Sequence, residues 1–136
     1  MRTWTATTLS PLELAFIGDA VWEVYARNHV LGLGLRKPAV LHKRATAYVS
    51  ATAQAYLVQA LWDGLTVEEQ DRVRKGRNAK SGHVRKNADV LDYRHSTGFE
   101  ALIGYLYGTG QQQRLRDLCQ RALVAIDEKR EDAHGN

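Results

Sequence analysis

An all-α fold is predicted by three features of this 136-residue sequence. Ser or Thr stands three residues before Glu at the start of two periodic segments, and glycines close several of them. No stretch alternates apolar and polar residues in the manner of a half-buried strand. The length suits one domain over 1–136, enough for one core and too short for two ordinary domains.

The first helix is the most clearly marked. Ser10 is placed to cap it, Pro11 suits the first helical position, Glu13 completes a capping box, and Leu9 with Leu14 forms the accompanying staple. Ala15, Phe16, Ala20, Val21 and Val24 then recur at three- and four-residue spacing, which predicts the buried stripe of a helix from Pro11 to about Val30. Gly32 and Gly34 supply its stop. Pro38 opens a second helical region from Ala39 to Trp62, with Val40, Leu41, Ala45, Tyr48 and Val49 as its stripe and Ser50 or Thr52 as the point of division.

Asp63-Gly64 ends that region, and Thr66 with Glu69 opens a short helix. After Asp89-Val90-Leu91-Asp92-Tyr93 an apolar helix is predicted over Phe99 to Tyr107, closed by Gly108 and Gly110. The last helix starts near Gln111 and carries Leu115, Leu118, Ala122 and Ile126 on one face, and Glu128 to Asn136 reads as a frayed polar tail.

Charge and cysteine content narrow the function classes. The formal net charge of +4 is a mild excess, but it is local: Arg72, Arg74, Lys75, Arg77, Lys80, Arg85 and Lys86 fall in one stretch with His83 and no acid. A glycine-containing cationic stretch of this kind either follows a phosphate backbone or is a solvated loop, and the missing acids favour the anion. Cys119 is the only cysteine, so no internal disulfide and no cysteine-based zinc cluster can form, and a reducing compartment is expected. No segment approaches the roughly 20 apolar residues of a membrane span, and the N-terminus lacks a signal-peptide run, so a cytoplasmic protein without membrane association is expected.

Two carboxylates stand in apolar surroundings. Asp19 follows Gly18 inside the first helix, and Glu100 lies within Phe99-Glu100-Ala101-Leu102-Ile103. Burial of an ionised carboxylate is costly unless it is paired or binds a cation, and Mg²⁺ takes one or two carboxylates while keeping several waters. Glu23, one turn beyond Asp19, is a further candidate for that site. Gly18 costs about 1 kcal/mol against alanine in a helix, which points to close approach by another helix or a ligand. Plainer readings stand beside these: a surface Asp and Glu flanking a packing glycine, and a Glu100 that caps its own helix from Thr97. The histidines show no zinc-binding pair on one helix, and nucleophile-elbow, phosphate-loop and dinucleotide motifs are absent, so no organic cofactor is expected. Cys119 reads as core, not as a nucleophile.

Together these residues resemble the ribonuclease III endonuclease domain, and more closely its short bacterial branch, Mini-III. Phe16-Ile17-Gly18-Asp19-Ala20-Val21 is similar to the family's signature helix, and Phe99-Glu100-Ala101-Leu102-Ile103-Gly104-Tyr105-Leu106 to its second catalytic helix. His42-Lys43-Arg44-Ala45-Thr46, Val49-Ser50-Ala51 and Gly76-Arg77-Asn78-Ala79-Lys80 look like the short branch in particular. The resemblance implies an all-α bundle, a homodimer whose two sites lie along a valley for double-stranded RNA, and Mg²⁺-dependent hydrolysis leaving 5′-phosphate and 3′-hydroxyl ends. It carries the metal and catalytic roles onto Asp19 and Glu100. Ala15 and Thr97 stand where larger members have further carboxylates, so the site is a reduced one. For the short branch the implied role is maturation of large-subunit (23S) ribosomal RNA from its precursor. The resemblance to the short branch implies no double-stranded RNA-binding domain of the kind larger members carry, so Arg72–Lys86 is expected to take over much of the gripping of the duplex. A catalytically degenerate RNA-binding relative and a helical interaction domain without an RNA role are the competing readings.

Overall fold

The computed structural model describes residues 2–80 and 89–134. Six α-helices make up the described fold: α1 (Pro11–Gly32), α2 (Pro38–Val49), α3 (Ala51–Leu61), α4 (Val67–Asn78), α5 (Val90–Gly108) and α6 (Gln112–His134), with single 3-10 turns at Ala6–Thr8 and Trp62–Gly64. No β-strand occurs among the described residues, and none of the helices there is long and apolar enough to cross a membrane.

Local chemistry sets the helix starts. The Ser10 N–H donates to Glu13 Oε1 at 2.8 Å and the Glu13 N–H returns a bond to Ser10 Oγ at 3.1 Å, which satisfies two of the donors a helix start leaves open. The Ser10 backbone N–H, followed by its hydroxyl, holds the exposed Glu13 carboxyl below its ordinary pKa. Thr66 and Glu69 build the same box on α4. Ser50 is the break in the second region: it ends α2 in an extended conformation and its hydroxyl accepts from Ala53 N–H to start α3.

Helix α5 is the centre of the bundle, and glycines decide how closely its neighbours approach. A Cβ at Gly18 of α1 would overlap the Glu100 carbonyl oxygen, and one at Gly104 of α5 would overlap the Leu14 carbonyl oxygen. On the other side, a Cβ at Gly98 would lie 2.6 Å from the Val73 carbonyl oxygen of α4, again closer than two such atoms can pack. The three glycine contacts therefore clamp α5 between α1 and α4 at backbone-to-backbone distance.

This contact corrects the stripe expected for α1. The buried residues are Leu14, Gly18, Trp22, Ala26 and Val30, with Ala15 beside them, whereas Phe16 is 83% and Val24 59% exposed. Apolar residues run round most of α1, so periodicity offers two faces, and the one bearing Gly18 wins because it alone admits α5. Trp22 fills the space beyond the glycine. Its Nε1–H donates to the Tyr48 carbonyl at 3.0 Å and its ring meets Phe99 edge-on at 5.1 Å.

Two other boundaries differ from expectation. Helix α5 begins at Val90, not near Phe99, because the Asp89 carboxylate caps it by accepting from the Leu91 and Asp92 N–H groups. Glu100 is thus mid-helix and does not cap, while the Thr97 hydroxyl donates back to the Tyr93 carbonyl at 3.0 Å. Helix α6 continues through His134 where a polar tail was expected from Glu128. Asp127 accepts from His29 Nε2 at 2.7 Å and from the Tyr48 hydroxyl at 2.5 Å, and Lys129 lies 4.2 Å from the Tyr56 ring centroid, so polar residues tie this end of the helix down.

Leu115, Leu118, Ala122 and Ile126 are buried as expected, and so is Cys119, whose thiol is pushed up to about 12 by burial. That pKa leaves it without nucleophilic character at neutral pH. Glu69, 4% exposed, pairs with Arg114 of α6 through contacts of 2.7 and 2.8 Å. The Arg114 guanidinium is the main cause of a Glu69 carboxyl pKa below the ordinary 4.5. A lowered carboxyl pKa stabilises the fold at neutral pH, and that stabilisation is lost as the pH falls below 4.5 and through the lowered folded value. The expected result is that Glu69→Gln is about 3 kcal/mol less stable than wild type near neutrality. Its melting temperature, followed by circular dichroism against pH, should also decline less steeply on acidification than that of wild type.

Candidate active site

Gly18 and Glu100 are the point where the backbones of α1 and α5 touch, and Asp19 is the next residue on α1. Asp19 and Glu100, eighty-one positions apart in sequence, are therefore carried to one helix crossing. The surroundings differ from the expectation that both are buried: Asp19 is exposed and Glu100 half-buried. A glycine directs only one face of α1 against α5, and the next residue, a 100° step round the helix, emerges toward solvent. Asp19 is consequently open to solvent.

Glu100 is anchored from α3. Gln54, 1% exposed, donates from Nε2 to Glu100 Oε2 at 3.3 Å and to the Val49 carbonyl at 3.1 Å. The Ser50 break makes this possible by turning α3 across α5. Gln54 was not singled out from the sequence, although a lone amide within Ala51-Thr52-Ala53-Gln54-Ala55 is the signal that marks it.

Glu23, one turn beyond Asp19, has a partner of its own. Its carboxylate pairs with Arg27 one turn on at 3.0 Å, and no group of three His, Cys, Asp or Glu side chains suited to a metal gathers among the described residues. The set offered by Asp19 and Glu100 is two hard oxygen donors. That donor set fits a cation such as Mg²⁺, which retains most of its water, and does not fit a closed four-ligand zinc site.

The basic segment divides into parts. On α4 the Arg72 guanidinium lies 4.1 Å from the Tyr105 ring centroid, Arg74 lies 5.1 Å from that of Trp62, and Lys75 pairs with Asp71 at 3.0 Å. Tyr105 in turn donates to Glu68, which raises the phenol's pKa. These three cations thus have intramolecular partners outside the basic run: Tyr105 and Trp62 on other elements, and Asp71 one turn before Lys75 on α4. Arg77 donates from Nε to Asn78 Oδ1 at 3.3 Å, and Lys80 is exposed. His83, Arg85 and Lys86 lie outside the described residues. Arg94 of α5, not expected from sequence, joins Lys80, Asn78 and Tyr93 in lining a cavity of about 430 Å³ that reaches Thr97.

Residues 12–111 match the family model of the ribonuclease III domain. The chain belongs to the ribonuclease III family. Within the family it is similar to Mini-ribonuclease 3 of Brevibacillus brevis, 50% identical over 118 residues that cover 87% of this chain and 88% of the relative. It is likewise 50% identical to Mini-ribonuclease 3 of Enterococcus faecalis, over 90% of this chain and 95% of that one. A crystal structure of a Fusobacterium nucleatum protein shares the fold with a TM-score of 0.76 at 28% identity, over 87% of this chain and 94% of that one. Membership agrees with the all-α architecture and makes the chain an endoribonuclease.

Proposed function

We propose that the chain is a Mg²⁺-dependent endoribonuclease of double-stranded or structured RNA, with Asp19 and Glu100 as the residues that hold the cation. The observation that supports this reading is the glycine contact, which brings the helices bearing Asp19 and Glu100 together at one crossing. A divalent cation held there would neutralise charge on the phosphate oxygens and render water nucleophilic at neutral pH. In the reaction a water oxygen bonds to phosphorus, the bond from phosphorus to the 3′ oxygen breaks, and that oxygen takes a proton, leaving 5′-phosphate and 3′-hydroxyl ends. Glu100 meets the site already oriented by Gln54, and Asp19 meets it from solvent, where the RNA strand arrives.

Lys80 and Arg94, with Arg77 and the cations of α4 behind them, would hold phosphates of the duplex. A-form RNA offers its shape and backbone more readily than its bases, which suits a surface of this kind. Precursor ribosomal RNA in the cytoplasm is the substrate proposed for the reaction, in keeping with the resemblance to Mini-III.

A homodimer is part of the same reading. Leu12, Phe16 and Val24 form an exposed apolar row along α1, on the side away from α5, and an apolar row of this size on a folded chain is usually covered. A second copy of α1, related by a two-fold axis, would cover it. Phe16→Asp is expected to give a monomer by sedimentation or light scattering at concentrations where wild type is dimeric, with its helical signal intact.

The function is tested by incubating wild type and Asp19→Asn with a perfect RNA duplex in Mg²⁺ and in chelator. Internal cleavage by wild type in Mg²⁺ alone supports the reading. Salt-sensitive binding of the duplex without cleavage by either protein would instead favour a binding module.

A further inference from the structure

We infer that Gln54 is a positioning residue for the cation site, acting through Glu100 and fixing its carboxylate to the α2–α3 corner. The inference rests on the assignment of Glu100 to that site. Three observations carry it. Gln54 is the most buried amide described, at 1% exposure, in a helix whose other buried residues are Ala53, Ala55, Leu57 and Val58. A buried amide among such neighbours is retained at a desolvation cost that packing does not require.

Its two donor bonds converge on unlike acceptors. One goes to the Val49 carbonyl, left without a helical partner where Ser50 ends α2, and the other to Glu100 Oε2 across the helix interface. Both acceptors are oxygens, so the amide cannot turn over without setting its own oxygen against them, and the orientation is fixed. Finally, Gln54 Oε1 is buried without a hydrogen-bond partner. An apolar side chain of the same length would remove that unsatisfied oxygen but would take the donor from both the Val49 carbonyl and Glu100 Oε2. What the amide provides is one settled rotamer for Glu100, anchored to backbone.

Outer partners that orient a metal-holding side chain change cation affinity or activity by about 10–100-fold when lost. The test is Gln54→Met, which keeps length and apolar volume and removes the donors. Binding of Mn²⁺ to the protein without RNA is measured by electron paramagnetic resonance of the free ion. Cleavage of duplex RNA is followed against Mg²⁺, and duplex affinity is measured in the Asp19→Asn background. The expected result is a Mn²⁺ dissociation constant and a half-saturating Mg²⁺ concentration both raised about tenfold or more, with duplex affinity close to that of the parent and a melting temperature lowered by the unpaired Val49 carbonyl. Unchanged Mn²⁺ binding and an unchanged Mg²⁺ requirement, while Glu100→Gln binds Mn²⁺ poorly, would overturn the positioning role alone. A Glu100→Gln protein that binds Mn²⁺ and cleaves like wild type overturns the site assignment and this inference with it. If Gln54→Met does not fold, Gln54→Asn is read in its place: its amide is one methylene short of Glu100, and the same rise in both cation constants is expected.

Discussion

Gly18→Ala is expected to be among the most damaging single-atom additions to this chain. In an unconstrained helix the change gains about 1 kcal/mol, because alanine is the better helix former. Here the new methyl would overlap the Glu100 carbonyl oxygen and press on the Gly104 amide nitrogen. Neither is a side chain that can rotate away, so α1 and α5 must separate along the contact that also carries Gly104 against Leu14. Overpacking of this kind costs typically 1–3 kcal/mol where side chains yield, and more where backbone must move. A net loss of about 3 kcal/mol corresponds to a fall of roughly 10 °C in melting temperature for a domain of this size. Gly32→Ala is the internal control. Nothing lies within 4 Å of a Cβ there, and its melting temperature should match or slightly exceed that of wild type. Equal melting temperatures for the two variants would show that the helices do not meet at Gly18.

Asp19→Asn and Glu100→Gln are expected to stop cleavage while leaving the fold intact. Asp19 is exposed and Glu100 half-buried, so neither substitution opens a cavity, and melting temperatures should stay within a few degrees of wild type. Each removes one anionic oxygen from a donor set of two, with no third carboxylate gathered nearby among the described residues to compensate. If stabilisation of the phosphate charge is worth several kcal/mol, losing about 4 kcal/mol of it lowers kcat roughly a thousandfold. Duplex affinity in Mg²⁺-free buffer should be unaltered, since cations elsewhere on the surface supply it. Glu23→Gln is the contrasting variant. Glu23 pairs with Arg27 on the helix surface, and its loss should change kcat by less than about tenfold.

The helix starts were legible because capping is local chemistry. Ser10-Pro11 with Glu13 and Thr66 with Glu69 carry their whole mechanism within four residues, and both boxes form. The α6 face was legible for a similar reason, since Leu115, Leu118, Ala122 and Ile126 lie on a helix that is apolar on one side only. Helix α1 was not, because it is apolar on two sides and only the partner helix decides between them. The start of α5 was missed since Asp89 caps it ahead of the polar stretch Asp92 to Ser96, which periodicity treats as a loop. Within the candidate site, the sequence pointed to both carboxylates through their motifs and to Gly18 through its cost in a helix. Gln54, Arg94 and the partners of Arg72 and Arg74 depend on contacts between elements that no spacing within one segment encodes, whereas Asp71 and Lys75 lie one turn apart on α4.

One cation site formed by Asp19 and Glu100 across the Gly18 contact is what we propose. It is tested most directly by a crystal structure of the protein grown with Mn²⁺, located by its anomalous scattering. A single strong peak within coordinating distance, about 2.2 Å, of carboxylate oxygens from both Asp19 and Glu100 is the expected result. Mn²⁺ bound only at other carboxylates, with Asp19 and Glu100 pointing apart in crystals of an active enzyme, would contradict it.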